Sequence, residues 1–296
     1  MNQRLALAVV ALAAFACGKQ TFLVAAFVQT PALPNPTDPK GTLPQIQVMT
    51  AYFGTIDTTS PTSIDASKEA PITDAKASIS FHHISAGAND TAEDRVLDVP
   101  ASKTAAGTYE ISSQDNPKLT FEVGVPYTLV LETAGADSEA YGARFVPAPP
   151  GDIKQFLTSK CAVTLGPGLT YSAPRCLEGQ ARADLTIDRT DLPATGQDPL
   201  PAFVLVGKID PQNTGAQPQI TYQTVPDTAD KLLRYVLSDR DYRKTSFVIP
   251  GATAFPGPGY YAVSLLVARQ GKVSGNAFLG STAVSGSGSA GILHAK

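Results

Sequence analysis

The side chains here that could do chemistry are few: three cysteines (Cys17, Cys161, Cys176), three histidines (His82, His83, His294) and two groups of aspartates. The cysteines form neither a CxxC redox pair nor a four-ligand zinc set, and Cys161 and Cys176 are too far apart in sequence to activate one another. Adjacent residues on a strand point to opposite faces, so His82 and His83 cannot share one metal ion without a bulge; they read as surface or rim side chains. His294, close to the end of the sequence, reads as solvated. The acids gather at Asp184, Asp188, Asp191 and Asp198, and again at Asp227, Asp230, Asp239 and Asp241. Neither group follows the alternating pattern, with glycine and a final glutamate, that wraps calcium in an EF-hand. Convergent at a domain boundary they would suit calcium; dispersed they are solvated loops, and the sequence assigns no metal ligand.

Nucleophilic catalysis has little to work with. There is no G-x-S-x-G elbow, and no histidine stands in a helical or glycine-rich setting from which to complete a Ser-His-Asp triad. Gly286-Ser287-Gly288 leads into a strand without a following lysine or helix, so it is no phosphate cradle. A glycosidase built from carboxylates alone escapes any motif search, but the chain has no tryptophan on which to stack sugars. The sequence therefore nominates no catalytic residue and no cofactor, and the expectation is a protein that is not an enzyme.

The first residues say where the chain works. Arg4 is followed by an apolar run at residues 5–16, too short to span a bilayer, and then by Cys17-Gly18-Lys19. A cation, a short greasy segment and small residues are the layout of a signal peptide over residues 1–16. Ala16-Cys17-Gly18 resembles the junction of bacterial lipoproteins, which implies that Cys17 receives the lipid and that the protein contacts a membrane through it. By the same resemblance, the absence of aspartate after the cysteine implies the outer membrane. The match departs from the family at Ala14, where leucine is favoured. Ala14-Phe15-Ala16 also satisfies the rule for ordinary secretory cleavage, which would release a soluble protein. A third reading joins residues 5–16 to the apolar run 21–28 as one span, at a cost of about 2.5–3.5 kcal/mol for Lys19 in mid-membrane. In an exported chain an odd cysteine count sets one apart, and with Cys17 set apart Cys161 and Cys176 pair as a disulfide around Gly166-Pro167-Gly168.

The elements that must carry these residues read as strands. Alternation is clear at Ala77–Phe81, Gly107–Ile111, Leu119–Val123 and Tyr127–Leu131, with a first strand in Ile46–Phe53 and a last in Tyr141–Val146. Pro147-Ala148-Pro149-Pro150-Gly151 marks a boundary, and Asp152 reads as the N-cap of a short helical turn through Leu157. Further strands read at Ala183–Ile187, Ala202–Val206, Gln219–Gln223 and Ser246–Ile249, with a short helix at Thr228–Ser238. The C-terminal stretch reads as a meander: Gly259–Val267, a turn at Gln270-Gly271-Lys272 into Ser274–Ser281, and a glycine-rich turn at Ser285–Ser289 into Ala290–His294. Five prolines between Gln29 and Pro44 make residues 17–45 a lipidated N-terminus and extended spacer, unless Phe22–Val28 is an opening strand and the prolines an ordinary loop.

The expected fold is all-β: two antiparallel β-sandwich domains at residues 46–147 and 183–296, joined by a connector at 148–182 that carries the cystine loop, with at most one or two short helices. The Gly-x-Tyr strand entries at Gly107 and Gly259 resemble those of immunoglobulin-like and prealbumin-like modules of bacterial envelopes. With 23 basic and 26 acidic residues and no basic stripe, nucleic acid is excluded as a partner. The expected function is a lipid-anchored envelope protein acting as a binding or structural display module, with an envelope or surface protein as partner. The alternatives are an envelope hydrolase using Asp carboxylates and a secreted small-ligand binder.

Overall fold

The apolar run at residues 22–28 needs burial, and it finds it in the middle of a sheet. The computed structural model describes residues 18–31, 44–58, 70–84, 90–135, 138–164, 170–194, 196–213, 218–226, 231, 235, 239–275, 277 and 281–296. Among them the strands are β1 (Gly18–Gln29), β2 (Gln47–Thr58), β3 (Ala70–Pro71), β4 (Lys76–His83), β5 (Glu93–Asp98), β6 (Thr108–Ser112), β7 (Tyr127–Glu132), β8 (Ala140–Phe145), β9 (Lys160–Thr164), β10 (Thr170–Pro174), β11 (Cys176–Gly179), β12 (Leu185–Asp188), β13 (Ala202–Ile209), β14 (Gln219–Gln223), β15 (Ser246–Ile249), β16 (Gly259–Gln270), β17 (Lys272–Ser274) and β18 (Thr282–Ala295). Helical pieces are short: α1 (Gly251–Ala254) and 3-10 turns at Lys154–Phe156 and Asp239–Tyr242. Lys231 and Tyr235 are also helical, while the rest of the helix expected at residues 228–238 lies outside the described residues.

A nine-stranded sheet organises the molecule, in the order β14-β13-β16-β18-β1-β2-β3, with β6 also on β2 and β11 also on β18. β18 pairs along most of its length with β16, and its other edge is shared: Thr282–Gly286 meet β1 and Ile292–Ala295 meet β11, both in parallel. β1 pairs with β2 over its whole length. A five-stranded sheet, β17-β8-β7-β4-β5, and a two-stranded one, β12-β15, form the facing layers.

Two cores lie on one face of the shared sheet. In the first, Leu23, Ala25 and Phe27 of β1, with Met49, Ala51 and Phe53 of β2, pack on the inner residues of β4, β7 and β8. Its centre is aromatic: Phe27 and Phe81 each sit 4.6 Å from the Tyr127 ring, centroid to centroid. In the second, Val204, Val206, Tyr261, Val263 and Leu265 are covered by Ile187, Phe247, Ile249, Phe255 and Phe156. β18 serves both, because its odd-numbered residues face one way: Ala283 belongs to the first core, Leu293 and Ala295 to the second. The fold is all-β and built of sandwich layers.

The structure differs from the sequence expectations in four places. Within the segment expected as lipidated N-terminus and spacer, residues 18–29 form β1, the opening-strand alternative, ahead of the prolines, while Cys17 and residues 32–43 lie outside the described residues; a fully buried Phe27, worth about 1.5–3 kcal/mol, explains why the strand wins. Leu119–Val123 is no strand: the Tyr127 hydroxyl donates to Thr120 O and accepts from the Glu122 amide, so a side chain replaces a ladder partner. Lys272–Ser274 returns not to β16 but to β8, across the boundary expected at residues 147–151. Ser285–Ser289 is not a turn but the middle of β18, where small residues admit a close neighbour. A Cβ on Gly288 would lie 1.9 Å from Leu265 O, and one on Gly291 2.2 Å from the Phe156 ring. Ser287 donates to Ala148 O and Ser289 to Asp152 of the chain crossing over that face.

Candidate functional site

A cleft of about 490 Å³ opens on the side of the second core. Three consecutive residues of β14 and its exit, Tyr222–Thr224, line it, as do all four of β15, Ser246–Ile249. Successive residues of a strand face opposite ways, so a wall made of consecutive residues is a strand's edge rather than its face. The cleft therefore runs between two sheet margins: β14 ends the nine-stranded sheet, and β15 pairs only with β12 among the described residues. Val204 and Phe247 supply an apolar floor, and Asp241 and Lys244 stand at the mouth. Burial raises the Tyr222 phenol pKa.

The edge of β15 is chemically defined. Arg189 N–H donates to Thr245 O, and the register Ile187↔Phe247 and Leu185↔Ile249 then makes Phe247 and Ile249 the residues bonded to β12. By alternation, the N–H and C=O of Ser246 and Val248 point away from β12, and Val248 is 63% exposed. The support beneath is firm. The Arg189 guanidinium, wholly buried, binds Asp191 at 2.5 and 2.8 Å and donates to Leu200 O and Lys244 O, fixing the strand end that enters the cleft.

The structure disperses the residues singled out in the sequence. Cys17 lies outside the described residues. Cys161 and Cys176 are joined by a disulfide, Cα atoms 5.1 Å apart, that ties β9 to β11. Asp184 accepts from the Gly251 amide, Asp188 from Gln155, and Asp191 from Arg189, so these three carboxylates serve separate donors. Asp152 caps no helix through its side chain; Arg175 and Ser289 hold it. Asp241 alone of the two acidic groups reaches the cleft among the described residues. No group of three or more metal-ligating side chains assembles among the described residues. His294 is not simply solvated: its ring stacks on Tyr260 at 4.3 Å and its Nδ1 is buried.

His82 is an exposed partner of Asp94, but His83 is buried in a carboxylate clamp that the sequence did not disclose. Its Nδ1 lies 2.5 Å from Glu122 and its Nε2 2.8 Å from Asp90. Ionised carboxylates only accept, so this geometry favours the doubly protonated ring, which alone can donate to both at once. The hydrogen bond to Glu122 raises the His83 pKa, burial opposes it, and Asp90 adds to the rise. Burial pushes Glu122 upward, but bonds from Thr120, the Ile84 amide and His83 outweigh it and hold that carboxyl low. Glu122 is 38 residues from Ile84 in sequence, and no local pattern could have joined them.

No protein-family model matches the chain, and no curated protein does. Among solved structures, trypsin-activated alpha-2-macroglobulin from Escherichia coli is similar at 12% identity and a TM-score of 0.24, over 93% of this chain and 16% of that one. The FN1-FN3 domains of chicken CNTN1 are similar at 10% identity and a TM-score of 0.18, over 88% of this chain and 68% of that one. This chain thus spans under a fifth of the macroglobulin's length. The fold class stands on the strand pairings themselves.

Proposed function

We propose that the chain is a lipid-anchored cell-envelope protein that works by binding a partner rather than by catalysis. The observation that carries this reading is the edge-lined cleft between β14 and β15, a concave, mixed apolar and polar surface on a rigid β scaffold. Its position suits display. Val204 registers through Leu265 with Ser289, beyond the stretch of β18 paired with β1, so the cleft stands farther along the sheet than the residues following Cys17. Acylation of Cys17 in an outer membrane would fix the N-terminal end of the body and leave the cleft facing away from it.

The test is the intact mass of the protein from its own envelope fraction, beside a Cys17→Ser variant. A mass carrying acyl groups on Cys17, with Cys17→Ser released to the soluble fraction, is the expected outcome. An unacylated wild-type protein found soluble overturns the anchor and makes the chain a secreted protein.

A further inference from the structure

We infer that the cleft takes an extended peptide segment of a partner protein as an added strand along the free edge of β15. This rests on the binding-module reading and names its partner's chemistry. Ser246 and Val248 aim their backbone groups into the opening, and among the described residues nothing pairs with them. Only another extended backbone offers donors and acceptors at the matching spacing, and edge addition of this kind is a recurring mode of peptide recognition. The edge also lacks the usual defences: Ser246, Phe247, Val248 and Ile249 carry no charge, and Pro250 follows the strand rather than interrupting it. By contrast β5, the margin of the five-stranded sheet, is guarded by Glu93, Asp94 and Asp98.

The side chains refine the choice. Every second residue of a bound strand would turn toward Val204, Phe247 and Tyr222, which calls for an apolar residue there. Lys244, exposed at the mouth and in no ion pair among the described residues, calls for an acidic residue on the same peptide, set on the Lys244 side and clear of Asp241. A peptide so placed bridges β14 and β15, closing the open side of the second sandwich.

The test begins with phage display of random peptides on the whole purified chain. The enriched peptide is synthesised with a fluorophore and its affinity measured by polarisation for wild type, Val248→Pro and Lys244→Glu. Proline is tolerated on an edge where the N–H points outward, so Val248→Pro removes the donor while sparing the fold, as an unchanged melting temperature will show. Losing backbone bonds predicts weakening of about tenfold for Val248→Pro, and reversed charge a similar loss for Lys244→Glu. Slowed amide exchange at Ser246 and Val248 in peptide-bound wild type is the readout that needs no variant. No enriched peptide, an affinity indifferent to both substitutions, or protection confined to another edge each overturns the proposal. The acyl mass of Cys17 is independent of all three, so failure here and failure of the anchor are told apart.

Discussion

His83 sits where two carboxylates outbid burial for its charge, and the consequence is a window of pH. Its pKa in the folded chain is raised above the ordinary 6.5, so the folded state holds the proton more tightly than the unfolded one. The contribution is therefore fully present below 6.5 and is lost as pH rises through the folded value. Glu122 behaves oppositely: its pKa is lowered from 4.5, so its contribution is present above 4.5 and lost as pH falls through the folded value. The melting temperature is expected to peak between those limits, with His83→Gln flattening the alkaline side of the profile. A pH series of melting curves that is parallel for the two proteins would refute the clamp. The cystine offers a second check at this scale. Replacing Cys161 and Cys176 together by serine removes a 15-residue loop closure, with an expected cost of about 3 kcal/mol in urea unfolding.

At the scale of elements, β18 shows how glycine can mean two things. In the sequence, Ser285–Ser289 has the composition of a turn; in the fold it is unbroken strand, its small residues admitting Ala148 and Asp152 at Ser287 and Ser289 and, just beyond, Phe156 at Gly291. Gly291→Ala should cost about 1–3 kcal/mol through overpacking against Phe156. In a Phe156→Ala background the same change should cost far less, and a double-mutant cycle with no coupling would show that the ring does not set the limit. This marks the limit of sequence reading. β4 and β7 were legible because a strand with one buried face imprints a period of two, as in the alternating burial of Tyr127–Glu132; β13 and β16, buried on both faces, were legible instead as short apolar runs bounded by turn residues. The pairing of β1 with β18 was not legible, since its partners are more than 250 residues apart and nothing local encodes a parallel register. The cleft was hidden for the same reason: the sequence marks both of its walls, β14 and β15, as strands, but an edge exists only once the sheet order is known.

For the whole molecule, the start of β1 at Gly18 decides how an anchored chain would stand. No flexible residues separate Cys17 from the sheet, so acyl chains on Cys17 would leave the body at the first rung of β1. Because β1 and β18 are parallel, both strands run away from that point; the register Val28↔Gly286 hands the climb from one to the other, and it ends at Ala295. At about 3.3 Å per residue the path from Gly18 through Gly286 to Ala295 rises up to about 60 Å, less the shortening by twist. Energy transfer from a dye at a Lys296→Cys position to a labelled bilayer is therefore expected to report one narrow, large separation for the acylated protein. A flexible linker inserted between Cys17 and Gly18 should broaden that distribution without lowering the melting temperature, because the sheet begins after the insertion. A wild-type distribution already as broad as the linker variant's would mean that the strand frays from its anchor. A dye lying at the bilayer surface would mean that the body reclines, with its cleft no longer held away from the membrane.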